Sequence, residues 1–399
     1  MRCQVDRGLR KISDLIQASK KKSKAYLYLQ ALAVLVMVYL AFRGYMNMQH
    51  NLNLLDITVD MRFLSLESGF GITQKWFEHH SHDSNFNVLW IGFVNTVVVS
   101  VCGIVLSTLV GVVIALAMHG KNPLIRGVGR LYVNVFRNVP LLVQILFWYN
   151  VWILKMPTVR NTRFVGVFAF NNRGVYLPEV NWTIWVFFVY FVVMVMVYVW
   201  LRHNQYETDE GKKVKKYDMI RPFGLTGLAV LIVFYLVSYL SGDMVMPNMG
   251  KFNVMGTHIY PEFIGLLAGL TFYTAAYNAE SMRGAILAVS EGQQEASDVL
   301  GLTPWMSFTR VIVPQALPGL LPSLASHYMN LTKNSSLGLA VGYPEIFAIF
   351  AGTVLNQTGR SVEVIAIVMG VYLILSMAII YGMNWVNQRQ SKWKGVKQN

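Results

Sequence analysis

The sequence is poor in charge, and the charge that it has is unevenly distributed. Charged residues make up 14% of the 399 residues and hydrophobic residues 54%, whereas a soluble domain carries about 25% charged residues. Asp and Glu are the scarcer, with 20 against 34 Lys and Arg. Long apolar runs alternate with short segments in which the basic residues are concentrated. This pattern excludes a soluble nucleic-acid-binding protein and indicates a chain that crosses a membrane repeatedly.

Cysteines and nucleotide-binding motifs are also scarce. Cys3 and Cys102 provide neither a disulfide framework nor a metal-ligand spacing. No Gly-x-x-x-x-Gly-Lys-Ser/Thr phosphate loop occurs, and the nearest dipeptide, Gly120-Lys121, lacks the earlier glycine and the following hydroxyl residue. The apolar runs contain no cluster of His, Asp or Glu, which a membrane-embedded enzyme would need. We therefore expect a protein that is not an enzyme, has no ATPase site of its own, and binds no metal or cofactor.

The apolar runs predict the membrane spans. A spanning helix needs about 20 mostly apolar residues, and runs of that length are helical in lipid because a helix satisfies its own backbone groups. We therefore expect an all-α integral membrane protein with about eight transmembrane helices. They lie at roughly 25–42, 88–118, 131–154, 182–201, 222–240, 263–279, 317–340 and 362–386.

The distribution of Lys and Arg predicts the orientation of these spans. With the N-terminus inside, the inner segments hold 23 basic residues and the outer segments 9. Cytoplasmic loops carry the excess of Lys and Arg in membrane proteins. Both termini are therefore expected on the cytoplasmic side.

The inner segment between the sixth and seventh spans has an unusual composition. It contains Glu295-Ala296-Ser297, then Gly301, then Val-Ile-Val-Pro ending at Pro314. Apolar residues recur in it at helical spacing, Gly301 is a stop signal, and Thr303-Pro304 begins a new helix. The pattern predicts two short helices at the cytoplasmic face. A helix that exposes apolar residues there either docks a partner or lies on the lipid surface.

This segment closely resembles the EAA loop of ABC importer permeases, which reads Glu-Ala-Ala, three residues, Gly, nine residues, Ile-x-Leu-Pro. Ser297 replaces the second alanine. Three further elements resemble those of polar amino-acid permeases and occur in the expected order: Arg-Asn-Val-Pro-Leu-Leu-Val-Gln at 137–144, the run from Thr274 into the loop, and Lys-Asn-Ser-Ser-Leu at 333–337. The resemblance covers about 85–153 and 260–390 and implies the transmembrane domain of a type I ABC importer.

The remaining residues enlarge that permease domain, which we place at 85–390. Residues 1–84 would add a basic tail, an extra first span and an outer loop. A segment at about 154–260 would insert two spans, and 391–399 would form a cytoplasmic tail. This enlarged plan resembles the general L-amino-acid and glutamate/glutamine/aspartate permeases of Gram-negative bacteria.

The resemblance implies a permease subunit that carries polar L-amino acids across the bacterial inner membrane. Its implied partners are an ATP-binding-cassette ATPase dimer, a homologous permease subunit or a second copy, a periplasmic amino-acid-binding protein, and membrane lipid. One alternative is another small polar cargo such as an opine. An ion-coupled secondary transporter is a weaker alternative, because the spans are nearly free of the carboxylates that it would need and the EAA-like loop would be unexplained.

The same resemblance implies that the helix at 295–301 seats in a groove on the ATPase. The residues of this coupling loop are Glu295, Ala296, Ser297, Gly301 and Pro314. Ala296 and Ser297 are small enough for a close helix approach, and Gly301 permits the turn.

Polar residues within the spans are candidates for the substrate path or gate. A charge at the centre of a span costs about 2.5–3.5 kcal/mol, so Lys333 should face a cavity or a partner, and 333–336 should form a break in its helix. The alternatives are an ion pair between Lys333 and Glu280 or interhelical hydrogen bonding, and snorkelling of Arg137 to the interface. If Arg137 belongs to the gate, Pro140 kinks its helix or limits the helix to one side. Glu280 also stands three residues before Arg283, as helical ion pairs do. The candidates are Arg137, Asn138, Pro140, Thr274, Lys333, Asn334, Ser335 and Ser336.

Overall fold

The structure is a computed structural model that describes residues 2–54, 59–75, 78–120, 122–180, 206–209, 212–215, 244–249 and 254–392. Two compact units emerge, Met1–Arg62 and Phe63–Asn399. The first unit is mainly one helix, α1 (Arg2–Leu54), which is longer at both ends than the predicted first span. The predicted fourth and fifth spans lie outside the described residues. The division of the chain at residue 85 stays a prediction.

The second unit is mostly helical. Its helices are α2 (Asn85–His119), α3 (Pro123–Asn138), α4 (Leu141–Leu146), α5 (Pro261–Leu287), α6 (Glu291–Val299), α7 (Pro304–Ser307), α8 (Val313–Asn334), α9 (Leu355–Thr358) and α10 (Ser361–Lys392). Wider π-helical turns at Phe147–Ile153, Phe308–Ile312 and Ala348–Val354 adjoin α4, α8 and α9. Tighter 3₁₀ helices occupy Met61–Ser65, Val159–Asn161 and Ser335–Val341.

The described helices differ in whether they are long and apolar enough to span a membrane. Among the described residues, Tyr28–Asn51, Asn85–His119 and Ser361–Gln388 are long and apolar enough, and α3 with α4 adds a fourth if the pair counts as one span. α5 and α8 occupy the predicted sixth and seventh spans, but both carry polar side chains along their length. The predicted total of eight spans stays a prediction.

The predicted third span, 131–154, is sharply bent rather than straight. α3 and α4 meet at 105° across Val139 and Pro140, as expected where proline removes a backbone donor and blocks helix continuation. The side-chain amide of Gln144 donates 2.9 Å hydrogen bonds to the carbonyls of Phe136 and Val139. The break is thus closed by a side chain of the same chain, as a helix interruption at membrane depth requires.

Glycines let the central helices approach closely. A Cβ atom at Gly269 of α5 would lie 2.5 Å from Ile145 Cγ1 and 3.0 Å from Ile145 Cα. A Cβ at Gly111 of α2 would lie 2.8 Å from Asn278 Cβ of α5. Small residues at helix interfaces are typical of membrane proteins, where association depends on packing rather than on hydrophobic burial. α5 therefore serves as the central helix, with α2 on one side and α4 on another.

The described part of the inserted segment contains short strands, which the expectation of an all-α chain did not include. Four antiparallel strands form a sheet in the order β1 (Arg163–Val165), β2 (Phe168–Asn171), β3 (Gly174–Leu177) and β10 (Thr257–Ile259). Three two-stranded ribbons pair β4 (Glu179–Val180) with β7 (Met244–Val245), β5 (Tyr206–Asp209) with β6 (Lys212–Lys215), and β8 (Asn248–Met249) with β9 (Val254–Met255). Strands this short give too little alternation to be recognised between apolar runs.

The outer segment before α10 is organised by a buried carboxylate. Glu345 accepts hydrogen bonds from the backbone N–H groups of Phe347 (3.0 Å) and Ala348 (2.6 Å), and from the Tyr372 hydroxyl (2.6 Å). Burial raises the pKa of Glu345 to about 7, against the opposing effect of the three donors. Because these bonds satisfy the first N–H groups of a helical turn, Glu345 holds Ala348–Val354 against α10.

The packing at Gly269 yields a stability prediction. Gly269→Ala should lower the melting temperature of the detergent-solubilised protein, because the new methyl group meets the backbone of Ile145 and overpacking costs about 1–3 kcal/mol. Gly370→Ala is the matched control: Gly370 lies inside α10, and a Cβ added there would meet nothing within 4 Å, so it should be neutral or slightly stabilising. Equal melting temperatures for the two variants would contradict the close approach of α4 and α5.

Candidate coupling loop and polar surface

The coupling loop consists of two short helices joined by a tight turn. α5 ends at Leu287, and α6 runs over Glu291–Val299. Gly301 then adopts φ +70°, a conformation that glycine enters without a steric penalty. Thr303 begins α7: its hydroxyl accepts a 3.3 Å hydrogen bond from the Met306 N–H, and Pro304 occupies the first helical position. The predicted stop and restart signals are therefore confirmed.

Uncharged hydrogen bonds attach α6 to the segments that follow it. The Gln315 side-chain amide of α8 donates to Gln293 Oε1 at 2.9 Å, and the Ser307 hydroxyl donates to Gln294 Oε1 at 3.3 Å. Ser297, which replaces the family alanine, is buried and donates to the Gln293 carbonyl at 2.7 Å. Sequence reasoning left Gln293, Gln294 and Gln315 without a role, since glutamine in a polar helix carries no signal by itself.

Three large apolar side chains of the loop are exposed. Val299 is 88% exposed, Leu300 76% and Trp305 68%. Glu295 and Ala296 are exposed beside them, whereas Pro314 is half-buried. An exposed apolar patch on the end of a helical domain marks an interaction surface. Four of the five predicted loop residues therefore lie in one short segment, all except Pro314. Ser297 is the one of these four that is buried.

A second cluster of polar groups joins α3, α5 and α8. The Arg137 guanidinium lies over the ring of Tyr277, 5.1 Å from its centroid. The hydroxyl of Tyr277 lies 3.2 Å from that of Tyr273, and its ring centroid is 5.8 Å from that of His327. His327 Nε2 in turn lies 2.9 Å from the Ser281 hydroxyl. Arg137 is thus held by an aromatic face, which the sequence did not predict because its partners lie far away in the chain.

The other candidate residues of the substrate path near Arg137 do not cluster with it. Asn138 donates a 2.7 Å hydrogen bond to the Asn134 carbonyl of its own helix. Pro140 is exposed at the bend. Thr274 is buried inside the helical packing, so it does not reach the exposed surface that carries Arg137.

One face of α8 is exposed and polar. It is formed at helical spacing by Gly319, Ser323, Ser326, Asn330 and Lys333. Lipid would leave the Asn330 amide and the charge of Lys333 unsatisfied, so the face is suited to a cavity or to a second subunit. Its small residues also allow another helix to approach closely. We name it the α8 polar face.

Lys333 lies in the last turn of α8, just before a change of helix type. The expected break at 333–336 is a transition from α-helix to 3₁₀ helix after Asn334, not an unwound turn. The Ser335 hydroxyl donates to the Thr332 carbonyl (2.7 Å) and the Ser336 hydroxyl to the Lys333 carbonyl (2.8 Å).

Lys333 itself is exposed. Within the described part of the chain, no carboxylate lies within 4.0 Å of its ammonium group. Glu280 instead pairs with Arg283 at 2.6 Å. The Glu280–Arg283 pair is therefore confirmed, and the alternative pairing of Lys333 with Glu280 is wrong.

Residues 107–392 match the family described as "Binding-protein-dependent transport system inner membrane component". This stretch is well over half of the chain. The chain belongs to this family. Membership confirms the expectations of a multi-pass inner-membrane protein and of the transmembrane permease of an ABC importer.

Relatives extend the similarity over nearly the whole chain. The "putative amino-acid ABC transporter permease protein YhdX" of Escherichia coli is 36% identical over 371 residues, which are 92% of this chain and 94% of the relative. The "general L-amino acid transport system permease protein AapQ" of Rhizobium johnstonii is 33% identical over 381 residues, 92% of each chain. A solved structure titled "Crystal structure of an amino acid ABC transporter with histidines" aligns with a TM-score of 0.45 at 20% identity, covering 76% of this chain and 94% of that one.

The turn at Gly301 yields a prediction on the permease alone. Gly301→Ala should increase hydrogen–deuterium exchange in α6 and α7, because a Cβ in the left-handed region costs about 1–2 kcal/mol. Gly292→Ala adds the same methyl group to the same loop, inside α6 and with only the Ser290 hydroxyl 3.6 Å away. Exchange in that control should be unchanged or slower; equal behaviour of both variants would show that the left-handed turn does not hold the loop.

Proposed function

We propose that this permease subunit moves polar L-amino acids into the cell, using ATP that a separate ATPase dimer hydrolyses. The observation that carries the proposal is the exposed apolar surface of Val299, Leu300 and Trp305, presented beside Glu295 on a loop attached to α8. The names of the relatives, an amino-acid permease and a general L-amino-acid permease, support the cargo class. Because the sequence contains no phosphate loop, the energy enters through the coupling loop.

The hydrogen bonds of the loop suggest how a movement of the ATPase reaches the membrane. When the ATPase subunits close, they displace α6, and the Gln293–Gln315 and Gln294–Ser307 bonds carry α7 and the start of α8 with it. α8 contains 22 residues, a length of about 33 Å at 1.5 Å per residue. It therefore transmits displacement from the cytoplasmic surface to Lys333. We infer that this motion alternates access to the substrate path.

The α8 polar face, together with Arg137, is proposed to line that path. An amino acid presents a carboxylate and an ammonium group, which require charged or hydrogen-bonding partners when they leave water. Lys333 offers positive charge for the carboxylate, and so does Arg137, whose guanidinium lies over the Tyr277 ring. The remaining wall of the path would come from a homologous permease subunit or a second copy, since the polar face is open in a single chain. A periplasmic binding protein would supply the amino acid.

The coupling proposal is tested by charge reversal on α6. Glu295→Lys should abolish or strongly reduce ATP-dependent uptake of labelled L-amino acids into vesicles that contain the ATPase and the binding protein. Glu295→Gln removes the charge without reversing it and should retain more of the uptake than Glu295→Lys. Copurification of the ATPase with each variant separates lost docking from lost transport.

Two outcomes would contradict this proposal. Uptake driven by an ion gradient without an ATPase would exclude the importer mechanism. Wild-type uptake by Glu295→Lys, with normal ATPase recovery, would exclude Glu295 from the coupling surface. An opine included in the same panel tests the alternative cargo.

The path proposal is tested at Lys333. Lys333→Met should leave subunit assembly and melting temperature intact but lower uptake by at least about tenfold, because the substrate carboxylate loses a charge partner worth roughly 1.4 kcal/mol or more. Lys333→Arg keeps the charge and should retain substantial uptake. If Lys333→Met transports like the wild type, Lys333 does not contact the substrate path.

A further inference from the structure

The inserted sheet presents an apolar tip. β1 and β2 are joined by Gly166 and Val167, with Gly166 at φ +59°, and Val165 pairs with Phe168. Around this turn, Val165 is 61% exposed and Phe164 49%, while Val167 and Phe168 are also exposed. Four large apolar side chains at one hairpin tip form a patch that a surface turn does not need for its own stability.

The tip is held on a rigid base. Asn171 donates a 3.1 Å hydrogen bond to the Thr162 hydroxyl, and the Asn172 N–H donates to the Pro157 carbonyl at 2.8 Å. At the opposite edge of the sheet, His258 of β10 stacks on Tyr176 of β3, with ring centroids 4.5 Å apart and ring planes 6° apart. A preorganised patch loses little entropy when it binds a partner, which favours a protein interface.

The strand directions place the tip away from the membrane-spanning helix. β10 runs from Thr257 to Ile259 and leads directly into α5 at Pro261. Because Ile259 pairs with Val175 and Asn171 with Gly174, the β2–β3 turn lies at the α5 end of the sheet. The β1–β2 tip is at the opposite end, about 10 Å further along at ~3.4 Å per residue. The tip is therefore separated from the start of α5 by the length of the sheet.

The surroundings of the tip are basic. Lys155, Arg160 and Arg163 are exposed, and none of them has a carboxylate within 4.0 Å among the described residues. Between 154 and 180, Glu179 is the one acidic residue of the sequence. A partner that covers the tip therefore needs an apolar hollow with a rim of Asp and Glu.

We propose that residues 160–168 form a docking surface for an acidic patch on the soluble substrate-binding protein. This inference rests on the proposed import function, because it takes that protein as the partner. The surface acts in recruitment: the apolar tip contributes contact area, and the arginines steer the encounter and orient the bound protein.

The proposal is tested by measuring binding of the amino-acid-loaded binding protein of the same transport system to the complete transporter in lipid nanodiscs. Arg160→Glu with Arg163→Glu should weaken binding at least about tenfold at low salt, and wild-type affinity should fall as salt rises. The double variant Phe164→Ser, Phe168→Ser should weaken binding at both salt concentrations. Arg126→Glu with Arg130→Glu makes the same net charge change on the predicted inner side and should bind like the wild type. Unchanged affinity in both outer double variants would overturn the proposal.

The function and the docking surface are tested separately by transport kinetics. In proteoliposomes, both outer double variants should raise the binding-protein concentration needed for half-maximal uptake and leave the rate at saturation unchanged. If the wild type transports and the variants match it at every concentration, only the docking surface is wrong. If the wild type shows no uptake that depends on the binding protein, the proposed function fails.

A photo-crosslinker at Phe168 identifies the occupant directly. Crosslinks to the binding protein support the proposal. Crosslinks to lipid, as expected for the exposed Val113 in the apolar α2, would make the tip a membrane anchor instead. Crosslinks to another permease subunit would make it an assembly contact, and either result would overturn the proposal.

Discussion

The structure depends on one constraint: each interruption of a helix must have its backbone groups satisfied by the same chain. Lipid offers no hydrogen bonds, so an open carbonyl or N–H at membrane depth costs several kcal/mol. Gln144 meets this requirement at the 105° bend before α4. Ser335 and Ser336 meet it where α8 becomes a 3₁₀ helix. In the predicted outer segment, Glu345 does the same for the N–H groups of Phe347 and Ala348. With its breaks closed in this way, the chain from Phe63 onward can bend within the membrane and still pack compactly.

The features that the sequence predicts well are local ones. Pro140 and Gly301 act on their own backbone, so their effects can be recognised without knowing what lies nearby. The same holds for the Glu280–Arg283 pair, whose spacing lies within one helical turn. The loop motif was recognisable because its residues are contiguous, and the family match agrees with it.

The features that the sequence did not reveal depend on distant partners. Tyr277 and His327 stand 140 and 190 residues after Arg137, and nothing near any of them indicates that they meet. The Gln293–Gln315 bond joins two helices whose relative placement follows only from the fold. The inserted sheet was missed for another reason: strands of three or four residues are too short to give a periodic pattern. Tertiary contacts and short strands therefore set the limit of sequence reasoning for this chain.

The Gln293–Gln315 and Gln294–Ser307 bonds, which join α6 to the segments after it, are made by amide and hydroxyl groups. Neutral hydrogen bonds are hardly screened by salt, and they do not titrate across the physiological range. The connection between α6 and α8 inside the permease is therefore insensitive to salt, whereas the contact proposed for Glu295 would weaken as salt rises. In the proposed mechanism, a change in cytoplasmic ion concentration would therefore alter how often the ATPase docks on the loop. The displacement that each docking event passes from α6 to α8 would stay the same.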